Sequence, residues 1–547
     1  MVILPFGERA LLVEVDSLAD VLALYARLAA TRPPGVVDLV PAARTILVRV
    51  DPALLPSATR AWLADAERSG GRREDTSAGP VTPAEAEVEA EVEAEVEVEV
   101  PIVYDGADLA ETAAVLGVGV PDLIDRHRAA RWTVAFTGFA PGFAYLVSDD
   151  WPFDVPRLET PRTRVPAGSV GLAGSFSGAY PRETPGGWRL IGTTPAPLFD
   201  TSAERPALLL PGARVRFVER PPAAGPATKL GSPPPAAGPA TRLGSPPPSA
   251  APAPAPQPAL TVTAPGLLAT VQDQGRPGHL AEGVALSGAA DRAALRTANR
   301  LIGNREDAAG LEITLGGFRA VAHADLWIAV TGAWGGIRLD GRGVDPYTAL
   351  PWPAGSELQL DAFAAGVRAY LAVRGGIAAD AVLGSRATDT LARLGPPPLR
   401  AGDALGIEHD AAGPIPPEDL HPWGPPPDVL DLPVAPGPRA DWFEPAAVDL
   451  LHTAEWTVTA AADRVGIRLD GPVLERRRGG ELPSEGMLPG ALQVPPSGRP
   501  VILGPDGPVT GGYPVIAVVT DAARDLLAQA RPGTRLRLRS ARPLAGF

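Results

Sequence analysis

Cysteine is missing from this 547-residue chain, which removes disulfides, thiolate nucleophiles and sulfur-ligated zinc together. Lysine is nearly as scarce: Lys229 stands alone, inside a proline-rich stretch. No lysine is therefore left in a folded domain to carry biotin covalently, to act in a Ser-Ser-Lys amidase, or to complete a GxxxxGK phosphate loop. Clustered basic residues are also lacking, and the formal charge is −14, so neither nucleic acid nor an anionic membrane surface is an expected partner. No stretch of eighteen apolar residues occurs, and Glu8, Arg9 and Glu14 interrupt the start where a secretory signal needs an unbroken apolar run. These features read as a cytoplasmic protein.

What the chain has in abundance is proline and glycine, 65 and 60 residues, a composition of many turns and short elements rather than long helices. Its length predicts several domains. Residues 1–64 alternate apolar and polar around LLVEV and TILVRV. Between them Val21, Leu24, Tyr25 and Leu28 recur at helical spacing, which predicts a small α/β unit. Residues 65–100 become polar and then repetitive, with Glu at every second position from Glu85 to Glu99. A strand would line these carboxylates on one face, so a solvated acidic linker is expected, ending in strand as it runs into PIVYDG. Short β-like runs between Gly and Pro turns over 101–220, with one helix near 121–130, predict a small barrel. PPAAGPATKLGSP is then repeated as PPAAGPATRLGSP, and 221–259 is expected to be an extended Pro/Ala-rich linker. From 260 to 547 the short-strand style resumes, with helices expected over 290–302 and after Thr520. The predicted class is α+β, mostly β.

Three strings of the first half are informative: FTGFAPGFAYL (136–146), PRTRVPAGSVGLAGSFSGAYP (161–181) and TPGGWRLIGTTPAPLFD (184–200). Gly138 and Gly142 permit close backbone approach, Phe139 and Trp188 supply flat walls, and Ser169 lies among them, together suggesting a pocket edged by backbone N–H groups. Barrel turns and core aromatics would leave the same pattern. His127, ahead of these strings, is a candidate catalyst or a packed helix residue. In the second half, TVQDQGRPG (270–278), ALSGAADRAALRTANRLIGN (285–304), AVRGGI (372–377) and LPGALQVPPSGRPVILGPDGPVTGGYPVI (488–516) carry the polar candidates. Asp273 and Asp291 suit acid/base or Mg²⁺ roles, Arg276 and Arg374 anion forks, Gln272 and Gln493 amide recognition, with Ser287, Gly375 and Tyr513 beside them. Satisfying buried backbone is the alternative for each.

On those strings the first half resembles the KipI-like family, the B-type component of bacterial 5-oxoprolinase, and residues 260–547 resemble the KipA-like family, the C-type component, whose relatives include the carboxyltransferase-type domains of urea amidolyase. The resemblance implies cyclophilin-like β-barrels, one in the first half beside the small α/β unit and two related sub-barrels in the second. It implies ATP-dependent opening of 5-oxo-L-proline to L-glutamate, with ATP and Mg²⁺ as cofactors and a separate A-type component, LamB/YcsF-like, as partner. Two other activities known among such relatives stay open: a biotin-dependent carboxyltransferase acting on urea or another amide nitrogen, and a non-enzymatic inhibitor of a sensor histidine kinase.

Overall fold

The structure is a computed structural model describing residues 1–51, 56–71, 97–221, 258–417, 424, 427, 429–480 and 482–541. Most of the acidic repeat and nearly all of the proline-rich stretch lie outside the described residues. The boundary expected at residue 64 falls inside a helix, Pro56–Gly71, and the acidic segment ends in a strand, Glu97–Ile102.

The first unit is an antiparallel sheet of Val2–Phe6, Ala10–Glu14, Thr45–Val50 and Val36–Pro41, in that order. Helix Leu18–Ala30 begins where Ser17 accepts the Asp20 amide, and it buries Val21, Leu24 and Leu28, a stripe at 3.6-residue spacing. That stripe packs on Leu11, Val13, Ile46 and Val48. The opposite face of the same strands, Ala10, Leu12 and Leu47, packs with Phe6 against Leu280, Met487, Leu488, Leu503, Val515 and Val518 of the second half. Successive strand residues point to opposite faces, so a sheet apolar on both faces needs two covers. The helices supply one and the second half supplies the other. Burying each such Leu or Val is worth roughly 1.5–3 kcal/mol, and the two halves therefore share a core.

Residues 97–219 form a seven-stranded sheet in the order Arg189–Thr193, Ser169–Ala173, Phe176–Ala179, Ala140–Val147, Trp132–Gly138, Arg214–Glu219, Glu97–Ile102. Paired hydrogen bonds of 2.8 Å between Val103 and Thr193 join its two ends. The closing barrel is built the same way from Val515–Val519, Ala491–Gln493, Val501–Leu503, Gly466–Asp470, Trp456–Ala462, Arg535–Ser540 and Val429–Pro436. In each, the strands that come first and last in the chain pair in parallel, Glu97–Ile102 with Arg214–Glu219 and Val429–Pro436 with Arg535–Ser540. In each, a helix with proline in its first turn, Val120–Ala129 or Pro445–Thr453, precedes a buried tryptophan whose indole N–H donates to the carbonyl five residues back: Trp132 to His127 at 3.0 Å and Trp456 to Leu451 at 3.1 Å.

Between the barrels, residues 258–411 form an open pair of sheets, seven and five strands, around a core that includes Leu260, Phe318, Trp352 and Leu371. Of the two sub-barrels expected here, one closes and this one stays open. Helix Arg292–Leu301 packs its Leu295, Ala298 and Leu301 face against it.

Candidate functional site: a seam groove

The shared core leaves a groove where three regions meet: the small sheet, the helix Arg292–Leu301, and the closing barrel's helix Asp521–Leu527. It has two chambers that share Arg9, Arg292, Arg296 and Asp521. The smaller, about 470 Å³, is lined by six arginines, Arg9 and Arg49 from the first half and Arg276, Arg292, Arg296 and Arg524 from the second, against three acids, Glu8, Asp51 and Asp521. The larger, about 810 Å³, adds Asp291, Thr297, Tyr347, Asp525 and Gln529 with apolar surface from Ala333, Leu430 and Leu526.

Each arginine is held differently. Arg9 donates to Asp521 at 2.7 Å and Arg292 to Asp525 at 3.0 Å. Arg49 donates to the buried Asp38 at 2.7 Å, yet its Nη2 is buried without a partner among the described residues. Arg276 donates to the Ala387 carbonyl, while its Nε and Nη1 are buried and lack acceptors; Asp389 lies 4.0 Å away, beyond hydrogen-bond reach. Burial and the neighbouring Arg292 guanidinium pull Arg524 down to about 10, as expected where positive charge outweighs its compensation.

Asp291 caps the helix by accepting the Ala294 amide at 2.9 Å, and its other oxygen accepts from Gln529 at 2.7 Å. Burial, aided by Asp525 and Glu312, outweighs those two bonds and raises its carboxyl to about 6. Ser287, at φ 54°, donates at 2.7 Å to Asp506. Arg464 of the closing barrel fixes this corner. It forks onto Asp506 at 2.9 and 2.8 Å, reaches Glu312 of the open sheets at 2.7 Å, and donates to the Gly288 carbonyl at 2.7 Å. Burial opposes its charge, but Asp506 and Glu312 hold the guanidinium well above its ordinary value.

Of the residues singled out by sequence, the groove gathers Arg276, Ser287 and Asp291. Others are spent on the scaffold. His127, a candidate catalyst, lies inside the first barrel, fully buried, with its ring nitrogens 2.8 Å from the Tyr104 hydroxyl and 2.9 Å from that of Ser177; burial lowers it to about 3. In the sister barrel its place is taken by Leu451. Arg374, expected as an anion fork, instead donates to the carbonyls of Ile302 and Gly413. Gln272 is buried and donates to Thr270 and the Thr388 carbonyl. Asp273 accepts from the Gly275 and Arg386 amides and the Ser385 hydroxyl and is not part of the groove lining. Gly375 sits so close to the Glu408 carbonyl that a Cβ would overlap it.

The remaining candidates lie elsewhere. Gln493 and Tyr513 belong to the closing barrel, away from the groove lining. Gly138 abuts Thr510 of that barrel, where a Cβ would collide. Gly142 makes its close approach to Leu198 and Phe199, and Ser169 is buried in its strand. Trp188 packs edge-on to Phe143 and Tyr145, and Phe139, 42% exposed at φ 64°, caps that aromatic wall. Such a φ is costly for a bulky residue. Arg296, Arg464 and Asp506 lie inside family-like strings with nothing local to single them out, and Arg9 and Arg49 lie outside any such string. The signal that could have pointed to the seam is the doubly apolar ALLV strand, which demands a cover from outside its own unit.

Residues 1–209 match the family model for the carboxyltransferase domain, subdomain C and D, and residues 282–540 match subdomain A and B. This defines the class as a tandem of carboxyltransferase-type domains. The chain is 38% identical over 275 residues to the C-type component of 5-oxoprolinase from Escherichia coli (strain K12), covering 49% of this chain and 87% of that protein. It is 48% identical over 121 residues to the B-type component of 5-oxoprolinase from Escherichia coli O157:H7, a match spanning 22% of this chain and 56% of that protein. A crystal structure of TTHA0988 superposes with a TM-score of 0.77 at 35% identity, over 97% of this chain and 100% of that one. The chain belongs to the 5-oxoprolinase family, with a first half similar to its B-type component and a second half similar to its C-type component.

Proposed function

We propose that this protein is the fused B-type and C-type component of an ATP-dependent 5-oxoprolinase, acting with a separate A-type component. The observation that carries this reading is that the B-like and C-like parts, each similar to a component of 5-oxoprolinase, close together on one arginine-rich groove. A lactam is a stabilised amide with a poor leaving group, so ATP is used to make its carbon electrophilic. The lactam oxygen bonds to the γ-phosphorus, the bond from that phosphorus to ADP breaks, and the ring N–H proton passes to a base, leaving a cyclic imidate phosphate. Asp291, with a carboxyl near pH 6 and a place in the larger chamber, is the base we assign. The arginines offset charge on the transferring phosphoryl. Mg²⁺ in this scheme arrives on the nucleotide, bound by the phosphates it neutralises. Opening of the activated ring is left to the A-type component.

The test is to mix the purified chain with an A-type component, ATP, Mg²⁺ and 5-oxo-L-proline and to follow phosphate and glutamate together. Equal release of both is expected; phosphate without glutamate, or neither, contradicts the assignment.

A further inference from the structure

We infer that the smaller chamber of the groove is a polyphosphate site assembled from both halves, taking the phosphate chain of the nucleotide while the rest of the ligands occupy the larger chamber. Only the identity of the nucleotide rests on the function proposed above; the preference for a polyanion stands on the arginines themselves.

The smaller chamber carries twice as many guanidinium groups as carboxylates. Its acids do not neutralise them evenly. Asp521 is shared between Arg9 at 2.7 Å, Arg524 at 3.3 Å and Arg292 at 3.6 Å. The Arg296 side chain has no hydrogen bond or ion pair among the described residues. Arg49 and Arg276 carry three further nitrogens without hydrogen-bond acceptors, but these are closed off from solvent and each guanidinium is ion-paired, with Asp38 at 2.7 Å and Asp389 at 4.0 Å; the shortage of anionic oxygens in the chamber falls on Arg296 and on the three arginines that share Asp521. A phosphate chain supplies what is missing, several anionic oxygens along a short length, which matches planar guanidinium forks better than a single carboxylate does. The larger chamber has a different character. Its acids and amides, Asp291, Asp525 and Gln529, sit beside apolar surface and suit an uncharged ring or base rather than phosphate.

The geometry also makes the site composite. Arg49 comes from the strand Thr45–Val50 and is oriented by Asp38, whose other oxygen accepts the Leu280 amide at 3.2 Å. One carboxylate thus aims a first-half arginine and clasps the second half. Arg296 projects from the helix capped by Asp291, so the phosphate chamber and the proposed base share one rigid element.

The test is calorimetry on the full chain with three probes: inorganic tripolyphosphate, ATP and adenosine. Tripolyphosphate is expected to bind and to displace ATP, and adenosine to leave tripolyphosphate binding unchanged. Arg296→Gln should weaken tripolyphosphate and ATP alike by at least about tenfold, with an unchanged melting temperature. Arg49→Met should do the same even if the seam loosens, and Arg342→Gln, an exposed arginine outside the groove, should change neither. Tripolyphosphate that fails to bind, or that binds the Arg296 and Arg49 variants as tightly as the parent, overturns the inference. The function and the site fail separately. Loss of tripolyphosphate binding in Arg296→Gln, with no turnover of 5-oxoproline by the parent, leaves the site and removes the reaction. Turnover with ATP affinity unaltered in both variants removes the site and leaves the reaction.

Discussion

The two closed barrels share a strand order, a parallel pair of end strands and a tryptophan bonded five residues back, yet they are finished for different work. The first turns its chemistry inward: His127 between Tyr104 and Ser177, and outside that core a wall of Phe143, Tyr145, Tyr180 and Trp188. The closing barrel has Leu451 where the first has His127 and sends a charged side chain out, Arg464, to lock Glu312 and Asp506. A duplicated module can thus serve once as a scaffold with an aromatic face and once as the wall of a site made between domains. A polar residue in a barrel core is weaker evidence of chemistry than a polar residue at a seam.

The largest effect is expected at the charged lock. Arg464→Met strands two buried carboxylates and should cost about 3–5 kcal/mol, read as a lower denaturation midpoint together with lost nucleotide binding, because the guanidinium donates to the Gly288 carbonyl and holds Asp506, the acceptor of the Ser287 hydroxyl. Unchanged stability would erase the contrast between the barrels. Next, Asp291→Asn sets the seam against the aromatic face: kcat is expected to fall on the order of 10²-fold or more with little change in KM. In the parent, Asp291 is raised to about 6, so kcat should decline as pH falls through 6 and the base becomes protonated. The variant should lose that limb.

A moderate effect is expected at Gly138→Ala, where the added methyl collides with the Thr510 side chain, its hydroxyl oxygen nearest; overpacking of this kind costs about 1–3 kcal/mol, and Thr510→Ala, which removes that hydroxyl and the methyl beside it, should relieve part of it. The smallest effect on catalysis is expected at His127→Leu, which gives the first barrel its sister's residue. Turnover should persist. The folded pKa of His127, about 3, lies below the ordinary 6.5, so the unfolded chain binds the extra proton first, and its contribution is lost as pH falls from 6.5 toward 3. The parent should therefore lose about 1.4 kcal/mol per pH unit at this residue, a slope that denaturation curves of His127→Leu should lack.

Much of this was legible locally. Ser17 and Asp291 stand at helix starts and accept a first-turn amide as capping chemistry requires, and Thr520 stands at a third helix start without such a bond. The barrel class followed from short strands between Gly and Pro. The relation between the barrels was also written plainly, in AARWTV and TAEWTV at the same distance past a helix. What could not be read was which polar residues face a cavity, because that depends on partners far along the chain. Gln272 is consumed by Thr388, Asp273 by Ser385 and Arg374 by Gly413, whereas Arg49, unremarkable in its strand, reaches a groove completed by residues beyond 270. Spacing reports a face; only packing reports what lies opposite.

The most direct test is a crystal structure of the full chain with a non-hydrolysable ATP analogue and 5-oxo-L-proline. Phosphate oxygens within hydrogen-bond distance of Arg49 and Arg296, with the lactam beside Asp291, are the expected result. Nucleotide bound against Phe139 on the first barrel, with the seam groove empty, would contradict the account.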